Sequence, residues 1–178
     1  ERIGDTVVRD NFRFGMVAFR DNIEGRPRLD YVARMVSLPD FREAPDALVA
    51  RVGEVRAADV STEGFSEDSL AGIKLALDEV KWSEFGGRYI ILITDAGTRE
   101  APDPKSSTGM TVAEVSALAR SEAKQVAIFT IHLRTPEGRA NHALAERQYR
   151  ALSQFGAAGP LYYPVPDGDV TAFGAMVD

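Results

Sequence analysis

The chain has 178 residues, 44% of them hydrophobic and 27% charged, with a net charge of −6. That length and composition fit one domain with a real core and exclude disorder as the main state. The absence of Cys excludes a disulfide scaffold, a thiolate zinc site and a Cys nucleophile. Only two His occur, far apart in sequence, which argues against a His-based metal site. The negative charge argues against a nucleic-acid or anionic-membrane surface. No apolar run approaches the roughly 18 residues that span a bilayer.

Ile3 and Val7 are spaced for the tail of an amphipathic helix over residues 1–9. The chain opens at Glu1 inside that pattern, so residues upstream of it are expected. Residues 12–19 (FRFGMVAF) read as a buried strand. Residues 21–30 contain Gly25 and Pro27 and are too short for a crossover helix, so residues 31–36 predict a second, antiparallel strand. Arg34 within it marks a sheet edge.

Asp40 and Glu43 are spaced as a capping box, and Leu48, Val52 and Val55 give a helical stripe. A polar loop over residues 57–65 leads to Ser66, a predicted N-cap, with Glu67 and Asp68 in the first turn where the helix dipole favours anions. Leu70, Ile73, Leu77 and Val80 mark one face of that helix, and Gly86-Gly87 breaks it. Residues 89–94 (YIILIT) predict a central strand buried on both faces.

A long loop over residues 96–110 follows Asp95, and Thr111 with Glu114 predicts another capping box. Val112, Val115 and Leu118 begin a helix face, and residues 125–133 (QVAIFTIHL) a buried strand. Residues 138–155 predict a helix with Leu144, Ala151, Leu152 and Phe155 inward, stopped by Gly156. Residues 161–165 read as a last strand, held to an edge by Pro164 and Pro166, before a short helix over 169–177. Strands alternating with helices predict an α/β, doubly wound, mostly parallel sheet with one antiparallel edge strand and helices on both faces.

Ligands of open α/β sheets bind beyond the C-terminal ends of the strands. Asp21, Asp95 and Arg134 lie there. Asp95 follows its strand with no intervening turn, beside Thr94, Gly97 and Thr98. Oxygen donors without nitrogen or sulfur suit Mg²⁺; capping of the turn explains Asp95 equally well. Helix capping explains Ser66, Glu67 and Asp68 without a ligand. His132 reads as a core residue and His142 as an exposed one. The Arg and Glu residues between Arg134 and Arg150 read as a solvated, mixed-charge helix surface. The phosphate loop GxxxxGK[ST], GxGxxG, GxSxG and HExxH are all missing from the sequence.

The order FRFGMVAFRDN, GFSEDSLAGIKLAL, RYIILITDAG resembles the von Willebrand factor A (vWA) family over nearly the whole chain. The resemblance implies a single domain over 1–178, N-terminally incomplete. The family's first strand, central in its sheet, would lie upstream of Glu1, between FRFGMVAF and YIILIT. It also implies a metal-ion-dependent adhesion site for Mg²⁺, with Asp95 from the third loop and Thr62, Glu63 or Ser66 from the second. The first-loop DxSxS is not found here. Gly97, Thr98 and Asp21 would face a protein partner. The segments FGMVAFRDN and ILITDAGTRE are closest to bacterial vWA domains, one group of which ends type VI secretion-associated serine/threonine kinases. That implies a non-catalytic protein-binding module on the periplasmic side of the cell envelope, one that neither enters the membrane nor binds nucleic acid. The rival readings are a metal-dependent hydrolase or phosphatase using Asp95, and a purely structural domain.

Overall fold

A computed structural model describes residues 12–22, 29–37, 44–60, 62 and 64–167. The helices expected over 1–9 and 169–177, the Asp40–Glu43 capping box and Glu63 lie outside these residues.

The described chain is an α/β structure whose strands are mostly parallel. Strand β1 (Val17–Phe19) pairs antiparallel with β2 (Ala33–Met35). Both are shorter than the apolar pattern predicted: Phe12 and Phe14 precede β1 as exposed, stacked rings. Arg34 is exposed in β2, as its charge requires. Helix α1 (Pro45–Gly53) follows. Its Val49 and Val52 are exposed, and Leu48 is half-buried beside a cleft between β1 and β4.

Strand β3 (Ser66–Glu67) is a two-residue element that pairs in parallel with β5 (Gly97–Thr98). Ser66 is therefore not the N-cap of helix α2 (Ser69–Glu79); that position belongs to Asp68, whose carboxylate accepts from the Ala71 amide at 3.3 Å. The sequence offers several capping side chains in a row, and strand pairing with β5 takes the first two. Inside α2, Leu70, Ile73, Leu77 and the following Val80 are buried. Gly72 faces β1, where an added Cβ would stand 3.1 Å from the Phe19 Cβ. Only the smallest residue lets helix and strand approach so closely. The helix ends well before Gly86, and a 3-10 turn (Trp82–Glu84) tucks in the Trp82 indole, which donates to the Ala76 carbonyl at 3.0 Å.

The main sheet has the order β4-β6-β7, all parallel: β4 (Tyr89–Thr94), β6 (Ala127–Arg134) and β7 (Tyr162–Pro166). Helices α3 (Val112–Ala119) and α4 (His142–Leu152) complete the order. The capping box of α3 forms as predicted, Thr111 and Glu114 each accepting from the other's end of the first turn.

The core lies between one face of this sheet and helices α2, α3 and α4. Leu92, Ile128 and Tyr162 from the sheet meet Leu70, Leu77, Val115, Ala145, Tyr149 and Leu152. The other face is open among the described residues. It carries Tyr89, Ile91 and Ile93, which are 60%, 62% and 50% exposed. Among the described residues strand β4 is covered on one face only. Its unbroken apolar run predicted burial on both, but the described helices pack on a single side. The inward stripe of helix α4 agrees with the predicted one at Leu152 and differs at Ala151 and Phe155. His142, Ala145, Tyr149 and Leu152 are inward, while Ala151 and Phe155 are exposed. Among the described residues no helix is long and apolar enough to cross a membrane.

Leu77→Ala should cost about 3 kcal/mol in urea unfolding, since Leu77 is fully buried between α2 and the sheet. Val49→Ala, at an exposed position, should change stability by less than about 0.5 kcal/mol.

Candidate functional site

Strands β1, β3 and β4 end at one edge of the molecule. The Asp68 amide donates to the Arg20 carbonyl at 3.0 Å, and the Arg99 amide to the Glu67 carbonyl at 2.8 Å. These bonds set β3 as a wedge between the end of β1 and the turn after β4. They also bring Asp21, Glu67 and Asp95 together.

Helix α4 holds that turn with side chains. Asn141 Oδ1 accepts from the Gly97 amide at 2.6 Å. Gln148 Oε1 accepts from the Thr98 amide at 3.0 Å, and its Nε2 donates to the Thr98 carbonyl at 2.9 Å. The Tyr149 hydroxyl donates to the Ala96 carbonyl at 2.7 Å. These side chains supply the pairing that a neighbouring strand would otherwise give the backbone. A Cβ at Gly97 would lie 2.9 Å from Asn141 Oδ1 and 3.0 Å from Gln148 Oε1, so a larger residue would displace the side chains that hold this turn. Asn141 and Gln148 were not legible as functional positions. Their one signal is spacing, seven residues apart on one helix face.

The sequence-predicted residues divide into engaged and unengaged groups. Asp21 is buried and takes a two-pronged grip from Arg99, Nε to Oδ1 and Nη2 to Oδ2, both 3.0 Å. Burial pushes its carboxyl up, but the Arg99 fork, the Asn22 amide and the Thr62 hydroxyl outweigh this and hold it below its usual range. Thr62 is thereby occupied. Ser66 Oγ accepts from Asn141 Nδ2 at 3.2 Å. Gly97 and Thr98 are buried under α4 and expose almost no surface. The two partner-facing roles expected of them therefore find little exposed surface here, because β5 is drawn inward to pair with β3.

Asp95 and Glu67 remain. Among the described residues no hydrogen bond reaches either carboxylate. Burial, then the charges of Asp95 and Asp21, push Glu67 up to about 7. The sequence placed Glu67 in a helix turn; its position in β3 turns it toward Asp95 instead. The edge thus gathers the carboxylates of Glu67 and Asp95 beside the Arg99-paired Asp21. Such an edge attracts a cation or a basic side chain. Among the described residues no three His, Cys, Asp or Glu side chains are grouped as metal ligands.

A second polar cluster lies in the core behind this edge. His132 Nδ1 and the Tyr162 hydroxyl are 2.7 Å apart, and the His132 ring stands edge-on to His142 with centroids 5.5 Å apart. Both His are buried, which corrects the expectation that His142 is exposed. It sits on the inward stripe of α4, one turn before Ala145. Burial, then the neighbouring His142 and Arg134 charges, push His132 down to about 4. It is a neutral core histidine, as its apolar strand predicted.

Set against family models, curated proteins and solved structures, the chain matches none.

Two pH dependences follow, and they oppose each other. Glu67 is raised from 4.5 to about 7, so its ionisation costs stability increasingly between those values and fully above them. Glu67→Gln should therefore raise the unfolding free energy by about 1–3 kcal/mol near pH 8 and by little near pH 4.5. His132 is lowered from 6.5 to about 4, so the neutral form stabilises the fold above 6.5 and that contribution is lost as pH falls toward 4. In His132→Gln the fall in denaturation midpoint over that window should flatten, as read by urea titration at each pH.

Proposed function

We propose that this chain is a protein-binding module of vWA type, and that its contact surface is the acidic strand-end edge. The observation that carries the reading is the pair Glu67 and Asp95, which share the edge with no hydrogen-bond partner among the described residues. The charge they leave open gives a partner something to neutralise.

The motif order FRFGMVAFRDN, GFSEDSLAGIKLAL, RYIILITDAG supports the family assignment. The antiparallel β1–β2 pair beside parallel strands supports it too. The finer fold we propose is doubly wound, with helices on the second sheet face and the family's first strand entering between β1 and β4. The segments FGMVAFRDN and ILITDAGTRE support a bacterial envelope setting, in the type VI secretion-associated kinase group.

Mg²⁺ meets a partial fit at this edge. Asp95 and Glu67 are the carboxylates that would hold it, and a bound dication would relieve their repulsion. Asp21, Thr62 and Ser66 already have protein partners. The described residues therefore give two of the ligand groups such an ion needs, and the reading of a protein contact does not depend on it.

Calorimetric titration with Mg²⁺ should show binding that Asp95→Ala weakens about tenfold or more; a flat trace would remove the ion and leave a charge contact. Turnover of phosphate esters that vanished in Asp95→Asn would overturn the non-catalytic reading.

A further inference from the structure

The two histidines join strand β6 to the helix that grips the turn after β4. His132 lies on β6 and is fully buried; His142 opens α4 and is nearly so. Their rings meet edge-on. His142 directly follows Asn141, which holds the Gly97 amide. The His132 ring also stands against Tyr149, with centroids 6.1 Å apart, and the Tyr149 hydroxyl holds the Ala96 carbonyl. The side chains that fix the turn beside Asp95 are therefore interleaved with the histidine pair on one stripe of α4. Any movement of α4 away from β6 has to pull on that turn.

This contact suits neutral rings and not charged ones. A charged imidazole has two N–H donors. At His132 the Tyr162 hydroxyl can receive one of them, while Nε2 makes no hydrogen bond; nor does Nε2 of His142. The groups facing His132 reinforce this. His142 stands against it from α4, Arg134 lies two residues on in β6, and Arg150 covers the Tyr162 ring at 4.9 Å from its centroid. Burial raises both Tyr149 and Tyr162, so their hydroxyls bring no charge. The Glu146 carboxylate and the Asp95 carbonyl favour a charged ring, but Glu146 is bound to Arg150 at 2.8 Å. Burial, His142 and Arg134 outweigh them and hold His132 neutral down to about 4.

We propose that the His132–His142 contact is an acid-sensitive latch on the acidic edge: a proton added to the pair drives α4 off β6, releases Asn141, Gln148 and Tyr149 from the backbone of residues 96–98, and frees the turn that carries Asp95 while the rest of the core stays folded. The sign follows from His132. Its folded value lies below the ordinary 6.5, so the closed latch is fully favoured above pH 6.5 and that preference is lost as pH falls toward 4. Glu67 and Asp95 sit on the moving side, so the state of a core contact sets the geometry of the surface. The latch needs neither the vWA assignment nor Mg²⁺.

Amide hydrogen exchange of the full chain, expressed at each pH against the rate of an unstructured chain, tests the latch. Between about pH 7.5 and pH 4.5 the protection of Gly97 and Thr98 should fall about tenfold or more, while that of α2 changes little. His132→Gln and His142→Gln should each reduce this fall to less than about twofold. Glu67→Gln should keep it, because the edge carboxylate is not the trigger. In the unaltered chain the imidazole ¹⁵N shifts of the pair should titrate with the same midpoint as the loss of protection, a readout that does not depend on how well the variants fold. Equal protection of Gly97 and Thr98 at both pH values would overturn the proposal. So would a fall shared equally by α2, a fall that survives in folded His variants or vanishes in Glu67→Gln, or separate midpoints for the rings and the turn.

Discussion

The polar grip of helix α4 on the backbone after β4 is the constraint from which the rest of the edge follows. Gln148 holds both the amide and the carbonyl of Thr98, and Asn141 and Tyr149 hold the residues before it. A turn that leaves a parallel strand has no backbone partner of its own. Three side chains on one helix face supply those partners, in a core where an unmade bond costs about 1–3 kcal/mol. Once Gly97–Thr98 is fixed there, β3 has an edge to pair with. Glu67 is then committed to a strand rather than to the first turn of α2.

That commitment sets the electrostatics. A glutamate at a helix N-terminus would be solvated and favoured by the dipole. In β3 it is partly buried and faces two other carboxylates, one of which Arg99 has already neutralised. The arrangement concentrates unfavourable charge at one point while compensating it at a neighbouring one. Asp21 and Asp95 look alike in sequence, each following an apolar run. The structure makes one of them part of the scaffold and leaves the other open.

Periodicity and capping chemistry made much of the fold readable. The Thr111–Glu114 box, the α2 stripe from Leu70 to Val80, and the bounds of β4 all depend on contacts within a few residues, which local sequence encodes. The errors fall where a distant partner decides. Ser66 lost its cap role to pairing with Gly97, 31 residues on. His142 was read as exposed because its neighbours Asn141 and Arg139 are polar, although the helix turns it inward. Asp95 was legible from its place at a strand end. Glu67, Asn141 and Gln148 were not, because their roles exist only once β3, β5 and α4 meet.

Trp82 is the single tryptophan of the chain. Its indole is tucked against α2 by the bond to the Ala76 carbonyl, at the floor of the cleft between β1 and β4. The molecule thus carries one intrinsic fluorophore, buried in the core and lining the same cleft as Glu67 and Asp95. Its emission colour senses how much water stands in the cleft, without any label.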